Sequence, residues 1–339
     1  MPVRADLAIA VLARWISLVA LAGLIGGLAV RVIVLPPDVP LLERRLGRWT
    51  QVCTLLLLVA GVTQLLLRAR TMAGGDLAAT LSSAPLILKQ THFGTVWSIR
   101  GVVLVLLLGL AGRSGRTKTR VAYALSLVVA LTTTLAGHAA DRGDLSANAA
   151  IDWIHVAAAT TWTGGLLCLA AVVLRMARTW PRERLTTLLR RFSALAAWCL
   201  GVVVASGIYN AVVQLGSLDA LWTTAYGATL AVKLALVLAV AGLGAVNRFI
   251  VLPQLGAGAA ARISRPLHAA SPARPALDRL GAYVAREAAL ALVILGCTAL
   301  LGESAPPHHR HAASPGAQAT LSCFASVAPS RACAPCNDS

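Results

Sequence analysis

The chain has 339 residues, of which 58% are hydrophobic and 13% charged, and it carries a formal net charge of +17. An average soluble domain has roughly 25% charged residues, and a water-surrounded fold of this length cannot hide so much apolar surface. Composition therefore excludes a soluble globular protein and points to helices that lipid can cover on every side.

A hydrocarbon core about 30 Å thick takes roughly 20 apolar residues per helical crossing. Stretches of that kind fall at 7–30, 49–67, 95–112, 119–138, 151–174, 192–213, 227–247 and 284–301. The expected fold class is thus an all-α integral membrane protein with eight transmembrane helices. Arg4 precedes the first run as in a secretory signal, but the run is long, contains Arg14 and lacks a small-x-small cleavage site, so it reads as a membrane helix. Between the second and third spans, residues 68–94 include an amphipathic stretch around Leu77–Leu88, expected along the outer surface. Residues 256–282 read as a Gly/Ala/Pro/Arg-rich linker. Residues 303–339, rich in Ala, Ser and Pro, read as a disordered external tail.

The basic residues sort by loop. Loops 31–48, 113–120, 175–191 and 248–283 carry nineteen Lys and Arg, against seven on the opposite side. Basic short loops resist translocation, so these four are expected in the cytoplasm and both termini outside it. The positive charge then reports topology and contact with the anionic lipid bilayer, with no nucleic acid implied.

The two halves match one another. Trp15-Ile16 is followed after nine residues by Gly26-Gly27, and Trp153-Ile154 after nine by Gly164-Gly165. Val59-Ala60-Gly61-Val62 is echoed by Ala205-Ser206-Gly207-Ile208, and Phe93-Gly94 reaching Arg100 by Tyr226-Gly227 reaching Lys233. Four crossings return the chain to its starting side. The expected organisation is therefore two parallel four-helix units, 1–138 and 139–302, related by an axis along the membrane normal.

The chemistry-bearing residues gather where the fourth and fifth spans meet. The fourth ends Gly137-His138-Ala139-Ala140 and the fifth begins Asp152-Trp153-Ile154-His155, with Asp152 and His155 on one helix face. Two imidazoles and a carboxylate at one external mouth suit a divalent metal, the carboxylate acting as ligand or as the acceptor that fixes the ring tautomer. Two further readings stay open: the histidines bond only to water or backbone, or they ligate a haem b as in membrane redox proteins. The repeat puts Arg14 opposite Asp152 and Ser17 opposite His155. Arg14 is accordingly an ion-pair candidate for Asp152 in the empty state, its alternative being to snorkel to the surface. Arg100 and Lys233 read as snorkelling anchors.

Gly-His-Ala before the fifth span, Asp-x-x-His, Trp162-x-Gly164-Gly165, Gly216-Ser217-Leu218-Asp219-Ala220-Leu221-Trp222-Thr223-Thr224, Tyr226-Gly227 leading to Lys233, and Asn247-Arg248 together resemble the copper resistance protein D family. The likeness is densest over 120–250 and absent from the tail. The resemblance implies a bacterial inner-membrane protein of copper homeostasis, in copper import or resistance, working beside a periplasmic copper-binding protein. A non-transporting partner in copper delivery to an oxidase is the other role it allows. Both Cu(I) and Cu(II) stay open as the copper ion. The internal methionines are only Met72 and Met176, so a methionine ladder is not expected. A copper entrance would be built from His138, Asp152 and His155, with buried cysteines deeper down.

Cys53, Cys168, Cys199 and Cys297 lie in expected spans and read as small apolar packing residues. His308-His309-Arg310-His311 and Cys333-Ala334-Pro335-Cys336 in the tail are metal or redox groups without a supporting fold. No Walker A sequence, nucleotide loop or HExxH occurs, which argues against an ATP-driven pump, an intramembrane metalloprotease, and an enzyme in general.

Overall fold

The computed structural model describes residues 2–36, 39–72, 77–111, 115–137, 143–144, 146–176, 180–253 and 273–304, and every regular element among them is helical. In chain order these are α1 (Pro2–Ala29), α2 (Pro40–Met72), α3 (Leu77–Gln90), α4 (His92–Ala111), α5 (Arg116–Leu135), α6 (Ala147–Cys168), α7 (Arg182–Leu215), α8 (Ala220–Thr223), α9 (Ala225–Val246) and α10 (Ala273–Gly302). Three of them run on into π turns at Val30–Val34, Leu169–Val173 and Asn247–Val251, the second followed by a last helical turn at Leu174–Met176. The tail from residue 305 onwards lies outside the described residues, as does most of the 256–282 linker.

Seven helices are long and apolar enough to cross a membrane: Asp6–Val34, Pro40–Thr71, His92–Ala111, Ala147–Met176, Glu183–Leu215, Ala225–Val251 and Arg279–Gly302. The chain is an all-α integral membrane protein. The expected fourth crossing is α5, whose 20 residues would span about 30 Å. It opens on Arg116, Lys118 and Arg120 and closes on Thr132-Thr133-Thr134, which lowers its apolar content. It nevertheless packs among the spanning helices, against α1, α4 and α6. The amphipathic stretch forms α3, seated on α2 and α4.

The largest interface joins α1 to α6. A Cβ on Gly26 would strike the backbone of Gly164 and Gly165, and one on Gly164 would strike the carbonyl of Ala22. The second glycine of each pair faces an aromatic ring. A Cβ on Gly27 would come within 2.9 Å of Trp49 on α2, and one on Gly165 within 2.6 Å of Phe192 on α7. Small residues thus let two backbones touch where lipid offers no hydrophobic drive for helix association. Trp49 also donates its Nε1 proton to the Gly23 carbonyl at 2.8 Å.

Other contacts tie further pairs of helices together. Trp15 Nε1 donates to Leu292 O on α10 and Trp153 Nε1 to Leu127 O on α5, both at 3.0 Å. The last helix of each half therefore packs on the first helix of the other. Thr91 and Thr224 accept from the amides of Gly94 and Gly227 at 3.0 Å, capping α4 and α9 alike.

The glycine contact generates a test. Overpacking costs roughly 1–3 kcal/mol in well-packed cores, and here backbone meets backbone. Gly164→Ala and Gly26→Ala are expected to lose at least that much in thermal unfolding of purified protein. Gly101→Ala and Gly242→Ala, with nothing within 4 Å of the new methyl group, should be near neutral. Equal effects at all four sites would contradict the packing described.

Candidate functional site

Ser146 starts α6 by accepting from the Ala149 amide at 3.2 Å, which sets Asp152 and His155 in the helix's first turns. Each then meets a different neighbour. Asp152 Oδ2 accepts from Thr134 Oγ1 on α5 at 2.9 Å, and its Oδ1 accepts from Asn210 Nδ2 on α7 at 3.0 Å. The carboxylate thereby ties three helices together and holds one fixed orientation.

His155 Nδ1 lies 3.0 Å from Ser206 Oγ on α7. The serine has one hydroxyl proton, and its oxygen also lies 2.5 Å from the Val202 carbonyl, an acceptor only. The hydroxyl proton goes to Val202, so Ser206 accepts from Nδ1–H of the imidazole. The Val203 backbone is a further hydrogen-bond partner of the ring, so the imidazole is held by neighbours as metal-ligating histidines are. Gly207 borders the ring: a Cβ there would lie 3.2 Å from His155 Cε1. The expected tautomer-fixing role of Asp152 belongs instead to Ser206, because the carboxylate is occupied by Thr134 and Asn210.

His138 lies outside the described residues, which on α5 end with the turn at Ala136 and Gly137. Among the described residues no three His, Cys, Asp or Glu side chains converge as a metal cluster. The described part of the site is one imidazole and one carboxylate, both half-buried, flanked by a hydroxyl and an amide.

Arg14 corrects a sequence expectation. Its Nη1 pairs with Glu303 Oε1 at 3.0 Å, at the C-terminal end of α10. The crossing of α1 and α10 brings it under Gly302 and Glu303, away from Asp152. The cation in electrostatic range of both Asp152 and His155 is Lys233 on α9, which also senses Cys297. Arg100, the matching residue of the first half, is buried and donates to Thr132 Oγ1 at 2.9 Å and Thr133 Oγ1 at 3.1 Å. It is held by α5 and does not snorkel.

Sequence reasoning missed Ser206, Asn210, Thr134 and the inward setting of Lys233. Lys233 stood in the repeat matches, where a cation recurs at a fixed place, and Ser206 stood in another match opposite Ala60; nothing local marks Asn210 or Thr134. His92 has Nε2 3.3 Å from Leu135 O and 3.5 Å from Asp144 Oδ1, beside the end of α5.

Two family models match the chain: "Copper resistance protein D-like, N-terminal domain" over residues 5–147 and "Copper resistance protein D" over 186–301. The copper transport protein CutJ of Bacillus subtilis (strain 168) is 30% identical over 225 residues, 62% of this chain and 40% of that protein. Copper resistance protein D of Pseudomonas syringae pv. tomato is 28% identical over 263 residues, 74% of this chain and 80% of its own length. Inner membrane protein YebZ of Escherichia coli (strain K12) is 27% identical over 168 residues, 49% of this chain and 57% of that protein. The chain thus spans two fifths of the Bacillus relative's length. No solved structure matches.

The pairing of Arg14 can be read by double-mutant cycles on unfolding. Both side chains are about one-third exposed, so Arg14→Ala and Glu303→Ala should couple by about 0.5–1 kcal/mol. Arg14→Ala and Asp152→Asn should add within roughly 0.5 kcal/mol. Coupling of Arg14 to Asp152 instead would restore the pairing expected from the repeat.

Proposed function

The chain belongs to the copper resistance protein D family, and we propose that it takes up copper at the outer face of a bacterial inner membrane through Asp152 and His155, with His138 as the third ligand. What carries this reading is His155 itself, an imidazole in an apolar bundle held in place by Ser206 at Nδ1 and by the Val203 backbone. Intramembrane ionisable groups are costly and pair with one another or serve a pathway. Asp152 and His155 have polar partners that orient them, which is how a ligand set is preorganised before the metal arrives.

Copper is the cargo in this reading, and the donor set is nitrogen and oxygen. Such a set suits cupric ion better than cuprous, which prefers thiolate and thioether. Lys233 takes the part first given to Arg14. In the empty state its ammonium balances Asp152, and an arriving cation competes with it for the carboxylate. The named relatives include one copper transport and one copper resistance protein, and import by this chain serves either role. A partner that presents copper from the periplasm, with both termini on that side, completes the proposal.

The test is a copper titration of purified protein. His155→Ala and Asp152→Asn should each weaken binding, Ser206→Ala by roughly tenfold through loss of the ring's orientation, and Lys233→Met should tighten it by removing a repelling charge. Wild-type affinity in the His155→Ala/Asp152→Asn double variant would eliminate the site. Stoichiometric haem with a Soret band dependent on His155 would replace copper with haem chemistry.

A further inference from the structure

A second buried polar pair lies at the other end of the bundle, unrelated to the copper residues. Glu287 of α10 is 5% exposed and sits on that helix's buried stripe with Leu280, Val284, Ala291 and Ile294. It lies eight residues into the span Arg279–Gly302, about 12 Å from the end that the charge bias assigns to the cytoplasm. Its one hydrogen bond comes from Asn247 Nδ2, at the start of the π turn that ends α9. Among the described residues, the amide's other atom, Asn247 Oδ1, is the single buried side-chain oxygen or nitrogen without a partner.

Among the described residues no cation reaches this carboxyl. Arg248, next to Asn247, turns to the Ser193 carbonyl on α7 at 2.9 Å and lies over Phe249. Arg286 of α10 is directed to Tyr283. The π turn Leu169–Val173 of α6, packed against α10, has no titratable side chain. An ionised Glu287 would be a buried charge with one neutral hydrogen bond, beside a stranded carbonyl oxygen. A proton removes both defects. The acid O–H donates to Asn247 Oδ1 while Asn247 N–H donates to the acid's carbonyl oxygen, closing a two-bond ring between acid and amide.

Packing does not require a carboxyl here. The matched tryptophan bonds set Leu292 opposite Leu127, and in that register Glu287 stands opposite Ala122, which is buried in the first half. Two oxygens are too few for a metal cage, and no metal-ligating cluster occurs among the described residues. We infer that Glu287 and Asn247 form a proton-binding site in the cytoplasmic half of the bundle, independent of the copper site.

Infrared spectroscopy of the full chain in lipid nanodiscs, without copper, tests this. At neutral pH the wild type should give the C=O stretch of a protonated carboxylic acid, shifted in deuterated water. Glu287→Gln should abolish that band, and Asn247→Leu should move it to higher frequency by removing its hydrogen-bond partner. Glu287→Ala, copying Ala122, serves the same purpose if the glutamine variant fails to accumulate. Absence of the band in wild type, or its persistence in either Glu287 variant, would overturn the inference.

Discussion

The rest of the structure hangs on the contact of α1 with α6, where Gly26 meets Gly164 and Gly165 with no side chain between them. In water such an approach would follow from burying apolar area. In lipid it must come from close packing and from backbone groups that stay satisfied within their own helices. The contact fixes how the two halves face each other, and the crossed tryptophan bonds to Leu292 and Leu127 hold the fourth helix of each half against the first of the other. Asp152 and His155 sit on the N-terminal stretch of the same α6, so their position is inherited from this crossing.

Positions that correspond in the two matched stretches of sequence carry unlike chemistry. The first half carries Arg14, Ser17 and Arg100 where the second carries Asp152, His155 and Lys233. Arg100 spends its donors on the α5 threonines, and Arg14 closes on Glu303. In the first half, charge therefore goes into holding helices together. The second half keeps a carboxylate and an imidazole oriented by neutral partners, which leaves them able to bind a cation. Glu287 against Ala122 repeats the contrast toward the other end of the bundle.

Much of this was legible in the amino-acid order. Apolar runs near bilayer length mark spans whatever their neighbours do, and seven of the eight meet that test in the structure. The fourth is less apolar because it opens on Arg116, Lys118 and Arg120 and closes on threonines that bond Arg100 and Asp152. Pairing is where reading from sequence fails. The repeat placed Arg14 at the level of Asp152, but partner choice depends on which helix crosses above it, and α10 brings Glu303 there first. The Leu218–Tyr226 stretch, one of the motifs that carry the resemblance, is built on local contacts. Thr224 bonds Ala220 O and the Gly227 amide, and a Cβ at Gly227 would strike the α8 backbone, while Leu218 and Trp222 remain 81% and 78% exposed. Such exposure suits an aromatic anchor at the membrane interface.

The central claim is that copper is held by the imidazole of His155 together with oxygen from Asp152. Copper-edge X-ray absorption on the loaded full chain reads the ligand atoms directly. The account predicts a nitrogen and oxygen shell with the multiple-scattering pattern of imidazole, diminished in His155→Ala and unchanged when Cys53, Cys168, Cys199 and Cys297 are replaced by serine. A sulfur shell, or an imidazole signal that survives His155→Ala undiminished, would contradict it.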